Sequence, residues 1–214
     1  YNYPEGGVLT FTAANLPDGL SIDAAGNITG TISPDASQGN GGVYQVEITA
    51  TDDGGLETTQ SFIWSISNPG PTADVDTAST TEDTTSARID VLANDNDPDG
   101  DALTVTTAST PNGSVAINPD GTLIYMPDAN FNGTDIITYM ISDGQGGSAT
   151  STVTVMVGSE NDAPTVAPLS ALGNADADVI AIDVSGSFDD LDGDMLTFTQ
   201  TGLPPGLSIN AAGN

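Results

Sequence analysis

Apolar residues in this chain recur at every second position, in runs closed by Gly, Asn, Asp or Pro. The clearest are Val43–Ala50 (VYQVEITA), Ser61–Ser67 (SFIWSIS), Thr122–Met126 (TLIYM), Asp135–Ile141 (DIITYMI) and Ser148–Val157 (SATSTVTVMV). A period of two places alternate side chains on one face of a strand, and Val, Ile and Thr suit a pleated surface. No segment carries a sustained helical stripe. Strands arriving roughly every 8–12 residues with turn signals between them predict an all-β fold built of sandwiches.

An internal repeat sets the organisation. Leu9–Asn27 (LTFTAANLPDGLSIDAAGN) returns as Leu196–Asn214 (LTFTQTGLPPGLSINAAGN), an offset of 196 − 9 = 187 residues with 14 of 19 positions identical. A unit that long holds two small domains. Pro-rich joints at Asn68-Pro69-Gly70-Pro71 and Glu160-Asn161-Asp162-Ala163-Pro164 mark the boundaries, since Pro stiffens a linker and blocks strand continuation. The expected domains are 1–69, 70–160 and 161–214. Tyr1 aligns with Phe188, already 188 − 164 = 24 residues past Pro164. The first domain is therefore expected to lack its opening strands, the second to be complete, and the third to be the N-terminal part of a further sandwich.

Composition narrows the chemistry. The chain has no Cys, His or Lys and one Arg, Arg88. A His general base, a lysine Schiff base, a cysteine nucleophile and a His/Cys zinc site are thereby excluded, which leaves only carboxylate mechanisms for an enzyme. A net charge of −29 excludes nucleic acid as a partner and disfavours anionic membranes. Five of the 30 acids are Glu, at 5, 47, 57, 82 and 160, so 25 are Asp, the carboxylate that favours turns. Self-repulsion for solubility or adaptation to high salt would use such charge as well, but here the Asp residues are clustered. No apolar run is long enough to cross a bilayer, no signal peptide opens the chain, and it does not begin with Met, so it reads as a piece of something longer.

The clustering is sharpest in Asp97-Pro98-Asp99-Gly100-Asp101 and Asp190-Leu191-Asp192-Gly193-Asp194, one D-x-D-G-D pattern written twice. Carboxylates at i, i+2 and i+4 around a Gly turn can converge on one hard cation. Without an ion each pair at ~6 Å repels by about 0.7 kcal/mol even at water's dielectric constant. The plainer alternative is a solvated Asp-Gly turn. An EF-hand is not the answer: Asp95, Asp97, Asp99 and Gly100 fit its positions 1, 3, 5 and 6, but Thr106 stands where the closing Glu belongs, and the second copy has Phe188 at position 1.

The L-T-F-T…G-L-P-x-G-L-S-I…G-N pattern resembles the immunoglobulin-like, cadherin-related repeats of bacterial surface proteins. The middle stretch, IDVLANDNDPDGDALTV…NGSVAINPDGTLIYMPDANFNGTDIITYMISDGQGGSATSTVTV, is similar to the cadherin-like repeats of giant RTX-type adhesins. The resemblance implies tandem Greek-key sandwiches in a rod-like array, outside the cell, with Ca²⁺ stiffening it. It further implies that Asp52 and Asp143, each ending a strand at a Gly-rich turn, are the acids beside the D-x-D loop. The top of the second domain would use Asp97, Asp99, Asp101 and Asp143. The 160–164 joint would hold calcium through Glu82, Glu160, Asn161, Asp162, Asp190, Asp192 and Asp194. The joint at 68–71 carries no acid, and Tyr3-Pro4-Glu5-Gly6-Gly7 replaces the D-x-D-G-D motif in the first domain, which weakens a site at Asp52.

Phe62 and Trp64 share a strand face and are expected in the core; Arg88 is expected to pair with a nearby Asp. The function these features predict is a non-enzymatic, calcium-stabilised structural or adhesive repeat of a secreted bacterial surface protein, its partners being neighbouring repeats and a surface or matrix polysaccharide or protein. Two alternatives are a calcium-dependent polysaccharide-binding module and a filament subunit. In the second, the opening strands of the third domain complete the first domain of another copy, head to tail.

Overall fold

The structure is a computed structural model, and it describes residues 7–170, 172–175 and 178–210. The described residues are all-β, with strands joined by turns and three short 3-10 segments. Residues 7–69, the stretch expected as the first domain, contribute β1 (Thr10–Ala14), β2 (Leu20–Ile22), β3 (Ile28–Gly30), β4 (Val43–Thr51) and β5 (Glu57–Ser65). Residues 70–160, the stretch expected as the middle domain, contribute β6 (Asp76–Thr81), β7 (Thr104–Ser109), β8 (Gly113–Ile117), β9 (Leu123–Pro127), β10 (Gly133–Ser142) and β11 (Ser148–Gly158). Beyond it lie β12 (Thr165–Val166) and β13 (Phe188–Asp189).

In the middle domain a four-stranded sheet runs β6-β11-β10-β7, with β6 parallel to β11 and the other pairs antiparallel. Opposite it lies the β8-β9 hairpin, extended by a bridge from Ile89 to Leu123. The alternation read from the sequence is the packing: in β10, Asp135, Ile137, Tyr139 and Ile141 point in and are buried, while the residues between them are not. Ile89, Val91, Leu123, Tyr125, Ile137, Tyr139, Ile141, Val153, Val155 and Val157 form one apolar core between the two layers. Each aliphatic side chain buried there contributes about 1.5–3 kcal/mol over its exposed state.

Two tyrosines carry polar tips into this core, and both tips find partners. Tyr139 donates to Asp76 Oδ2 at 2.9 Å or to the Asp74 carbonyl at 3.0 Å. Tyr125 donates to Asp135 Oδ2 at 2.8 Å. Asp135 is 1% exposed, and it also accepts from the Thr110 hydroxyl, the Asn112 side chain and the Ile136 amide. Burial pushes its carboxyl up, but these donors outweigh burial and hold it below the ordinary value.

The first domain pairs β1-β4-β5 in one sheet and β2-β3 in a hairpin, with a small core of Ala36, Tyr44 and Val46 backed by Leu16, Ile48, Trp64 and Ile66. Its last strand begins at Glu57, four residues before the alternating run, because Glu57–Gln60 pairs with Thr51–Ile48 although both faces there are exposed. Phe62 and Trp64 do share a face, ring centroids 6.2 Å apart. The core expectation holds for Trp64, which packs beside Tyr44, but Phe62 is 41% exposed. Among the described residues β5 is an edge strand, so its outer side lacks a neighbour that would cover Phe62. Arg88 pairs with Asp120, as expected, across two exposed side chains.

Candidate metal centre

The Asp97–Asp101 loop is built by its first residue. Asp97 Oδ1 accepts the backbone N–H groups of Asp99, Gly100 and Asp101 at 3.1, 3.1 and 3.2 Å, which curls the chain around the carboxylate. Gly100 sits at φ +88°, a conformation where any Cβ is strained, so the pattern needs Gly at this place. The loop is tied down by Asn96, whose backbone exchanges two hydrogen bonds with Thr72 at 2.8 and 3.0 Å.

With Oδ1 occupied, the second oxygen of Asp97 turns inward. Asp97 Oδ2, Asp99 Oδ1 and Asp101 Oδ2 are buried and have no hydrogen-bond partner, and Asp97 as a whole is 8% exposed. One oxygen from each of the three lies within 4.8 Å of the other two. Asp99 is pushed up to about 6, chiefly by the Asp97 carboxyl beside it, then by burial and the charge of Asp101, while Asp97 is held below the ordinary range. Ligand atoms 2.3–2.6 Å from one centre lie no more than about 5.2 Å apart, so the trio can share a calcium-sized ion. All-oxygen ligands suit a hard cation such as Ca²⁺ rather than Zn²⁺ or Cu²⁺.

Of the four acids expected here, the structure brings together three. Asp143 has other partners: Oδ1 accepts the Gln145 and Gly147 amides at 2.8 and 2.9 Å, and Oδ2 accepts the Asn68 side-chain amide at 2.9 Å. It organises its own turn and holds the linker. Asp52 closes a similar turn, accepting the Leu56 amide at 2.8 Å. The Tyr3–Gly7 motif expected to face it lies, apart from Gly7, outside the described residues.

The second D-x-D-G-D loop repeats the first. Asp190 Oδ1 accepts the amides of Asp192 and Asp194, both at 3.1 Å, and Gly193 sits at φ +76°. At the 160–164 joint the Asp162 amide donates to Asp192 Oδ2 at 2.6 Å, and Glu82, 2% exposed, accepts the Glu160 amide at 2.9 Å. The Asp162 carboxyl is raised by burial and then by the charges of Asp83, Asp192, Glu82 and Asp190. Asp83, one of the charges acting on Asp162, was not singled out in the sequence. The adjacency Glu82-Asp83 was the available signal. Asn161 instead donates to the neighbouring Asp162 carbonyl at 3.0 Å.

A further grouping went unread in the sequence. Asp76 and Asp95 flank the Tyr139 hydroxyl, and both carboxyls are raised, first by burial and in part by neighbouring acids. Donors satisfy this group: Asp95 Oδ1 also accepts the Asp74 amide at 2.8 Å. It is a structural network.

Residues 68–156 match the family model described as "Bacterial Ig domain", and residues 1–67 match "Putative Ig domain". No curated protein matches the chain. Among solved structures it is similar to the endo-fucoidan hydrolase MfFcnA4 of glycoside hydrolase family 107, at 26% identity over 77% of this chain and 25% of that one, TM-score 0.35. The human desmocollin-1 ectodomain matches at 17% identity over 78% of this chain and 38% of that one, TM-score 0.35. A protocadherin γB7 EC3-6 structure matches at 18% identity over 99% of this chain and 58% of that one, TM-score 0.37. The chain spans about a quarter of the length of the fucoidan hydrolase. Among the described residues no helix is long and apolar enough to cross a membrane.

Proposed function

We propose that this chain, whose residues 68–156 match a bacterial Ig domain model and residues 1–67 a putative Ig domain model, is a calcium-stabilised structural and adhesive repeat of a secreted bacterial surface protein. The observation that carries this reading is the trio of buried, partnerless oxygens on Asp97, Asp99 and Asp101. Ionised carboxylates held within 4.8 Å of one another repel, and more strongly where water is excluded. A buried polar atom with no partner adds a further penalty. A divalent cation removes both penalties at once. Asp97, Asp99 and Asp101 would hold it, with water and backbone carbonyls completing a shell of about 6–8 oxygens.

The cation acts here by structure, not by reaction. The same loop recurs at Asp190–Asp194, beside the joint where Glu82, Asp83 and Asp162 gather. Repetition along the chain suits stiffening of successive domains better than a single catalytic cleft, so the chain is read as a module and not an enzyme. Bound calcium at 100 times its Kd adds about 2.7 kcal/mol per site, a large fraction of a small domain's stability. The test is a calcium titration of the chain beside the Asp99→Asn variant. Saturable binding by the first, with one site fewer in the second, supports the reading; absence of binding by the unmodified chain removes it.

A further inference from the structure

Asp101 faces two ways. Its Oδ2 is one of the three buried, partnerless oxygens of the candidate cation site, while its Oδ1 accepts the side-chain amide of Gln38 at 2.8 Å. Gln38 belongs to the first domain, directly after the 3-10 segment Pro34–Ser37, and lies 63 residues away along the chain. A single carboxylate thus touches both the other domain and the space a cation would fill.

We propose that Gln38 is a positioning residue for the cation site, and that cation binding and docking of the first domain on the second are coupled through Asp101. The proposal rests on the calcium reading above. An Asp carboxylate rotates freely unless something holds it; with the Gln38 amide on Oδ1, Oδ2 is left aimed at Asp97 and Asp99. A ligand atom fixed in advance binds more tightly because less freedom is lost on binding. Linkage requires the reciprocal effect: a cation that fixes Asp101 also strengthens the Gln38 contact.

The rest of the joint supports the arrangement. Asn68, the first residue of the linker, donates to Asp143 Oδ2 at 2.9 Å and accepts from the Ser37 hydroxyl at 3.2 Å. Gly147 packs so near Gly70 and Pro71 that an added Cβ would stand 2.8 Å from Gly70 Cα and 2.9 Å from Pro71 Cδ. The absence of acids at 68–71 thereby gains a meaning. Neutral amides donate to the carboxylates of the second domain and add no charge that a cation would have to offset.

The test uses the whole chain, which has no native cysteine, so spin labels placed by Ser61→Cys and Ser114→Cys report the distance between the two domains alone. Calcium affinity and that distance distribution are measured for the parent, for Gln38→Ala and for Asp99→Asn. Gln38 is exposed, so its replacement leaves the fold intact. The expected results are a calcium affinity about three- to tenfold weaker in Gln38→Ala, the fold-change of one hydrogen bond, with the number of bound ions unchanged. Calcium narrows the distance distribution in the parent and not in Gln38→Ala or Asp99→Asn. Calcium binding by the parent with the same affinity in Gln38→Ala, or with no calcium effect on the distances, overturns the coupling while leaving the site standing. A parent that binds no calcium overturns the site itself, and the coupling with it.

Discussion

Asp97 and Asp190 hold the same position in two loops 190 − 97 = 93 residues apart, and each uses its Oδ1 to gather the backbone amides of the residues that follow. The sharing of one oxygen explains why the motif begins with Asp. A carboxylate can curl the loop with one oxygen and still present the other to an ion; Asn in that place would present a donor to the ion. Asp97→Asn is therefore expected to keep the loop and weaken calcium binding more than tenfold, which calorimetry on the purified chain would show. Unchanged affinity would mean that Asp97 shapes the turn and nothing more.

Removing charge from the trio should separate stability from binding. Asp99→Asn deletes one of three mutually repelling carboxylates, so the ion-free chain is expected to melt no lower than the parent, or slightly higher. In calcium the order reverses, because the parent gains about 2.7 kcal/mol at 100 times Kd and the variant gains much less. Thermal melts of both proteins with EDTA and with calcium would show the crossing. Parallel shifts in the two proteins would exclude the trio as the source of any calcium effect.

Acid should compete with the ion. Without calcium Asp99 is pushed up to about 6 from an ordinary value of 3.8, so the protonated form belongs to the folded loop. The sign follows: the stability tied to protonated Asp99 is complete below about pH 4 and is lost as pH rises through about 6. Above that, the trio carries its full charge and is ready for a cation. Calcium affinity should therefore increase from pH 5 to pH 7, measured by titration at each pH. A flat profile would argue that protons and calcium do not meet at these residues.

The buried carboxylate Asp135 makes a separate prediction about the middle domain. Tyr125→Phe removes one of its donors and is expected to cost about 1 kcal/mol. Asp135→Ala strands the Thr110, Asn112 and Tyr125 donors in the interior and should cost about 3 kcal/mol or more. Urea unfolding gives both values. Equal, small losses would show that water enters this site and replaces the carboxylate.

The middle domain was legible because its strands have one wet and one dry face, which writes period two into β10 and β11. Where burial does not alternate, the pattern fails. Glu57–Gln60 belongs to β5 through backbone pairing alone, and Phe62 reads as core although its strand lies at an edge. The D-x-D-G-D loops were legible because their geometry is local: three acids and a Gly within five residues. Asp143 shows the limit of that approach. The resemblance implied a place for it beside the trio, and here it accepts two backbone amides and the Asn68 side chain. Gln38 carries no signal at all, since an exposed Gln in a Gly-rich turn acquires its role only when another domain's carboxylate arrives beside it.

The most direct test of the whole account is calcium titration by calorimetry on the intact chain, with thermal melts in EDTA run in parallel. The account predicts saturable binding and a melting temperature that falls when the chelator is added, by several degrees for each ~1 kcal/mol lost from a small domain. No binding heat and superimposable melts would contradict it. Asp97, Asp99 and Asp101 would then be a charged turn and nothing more.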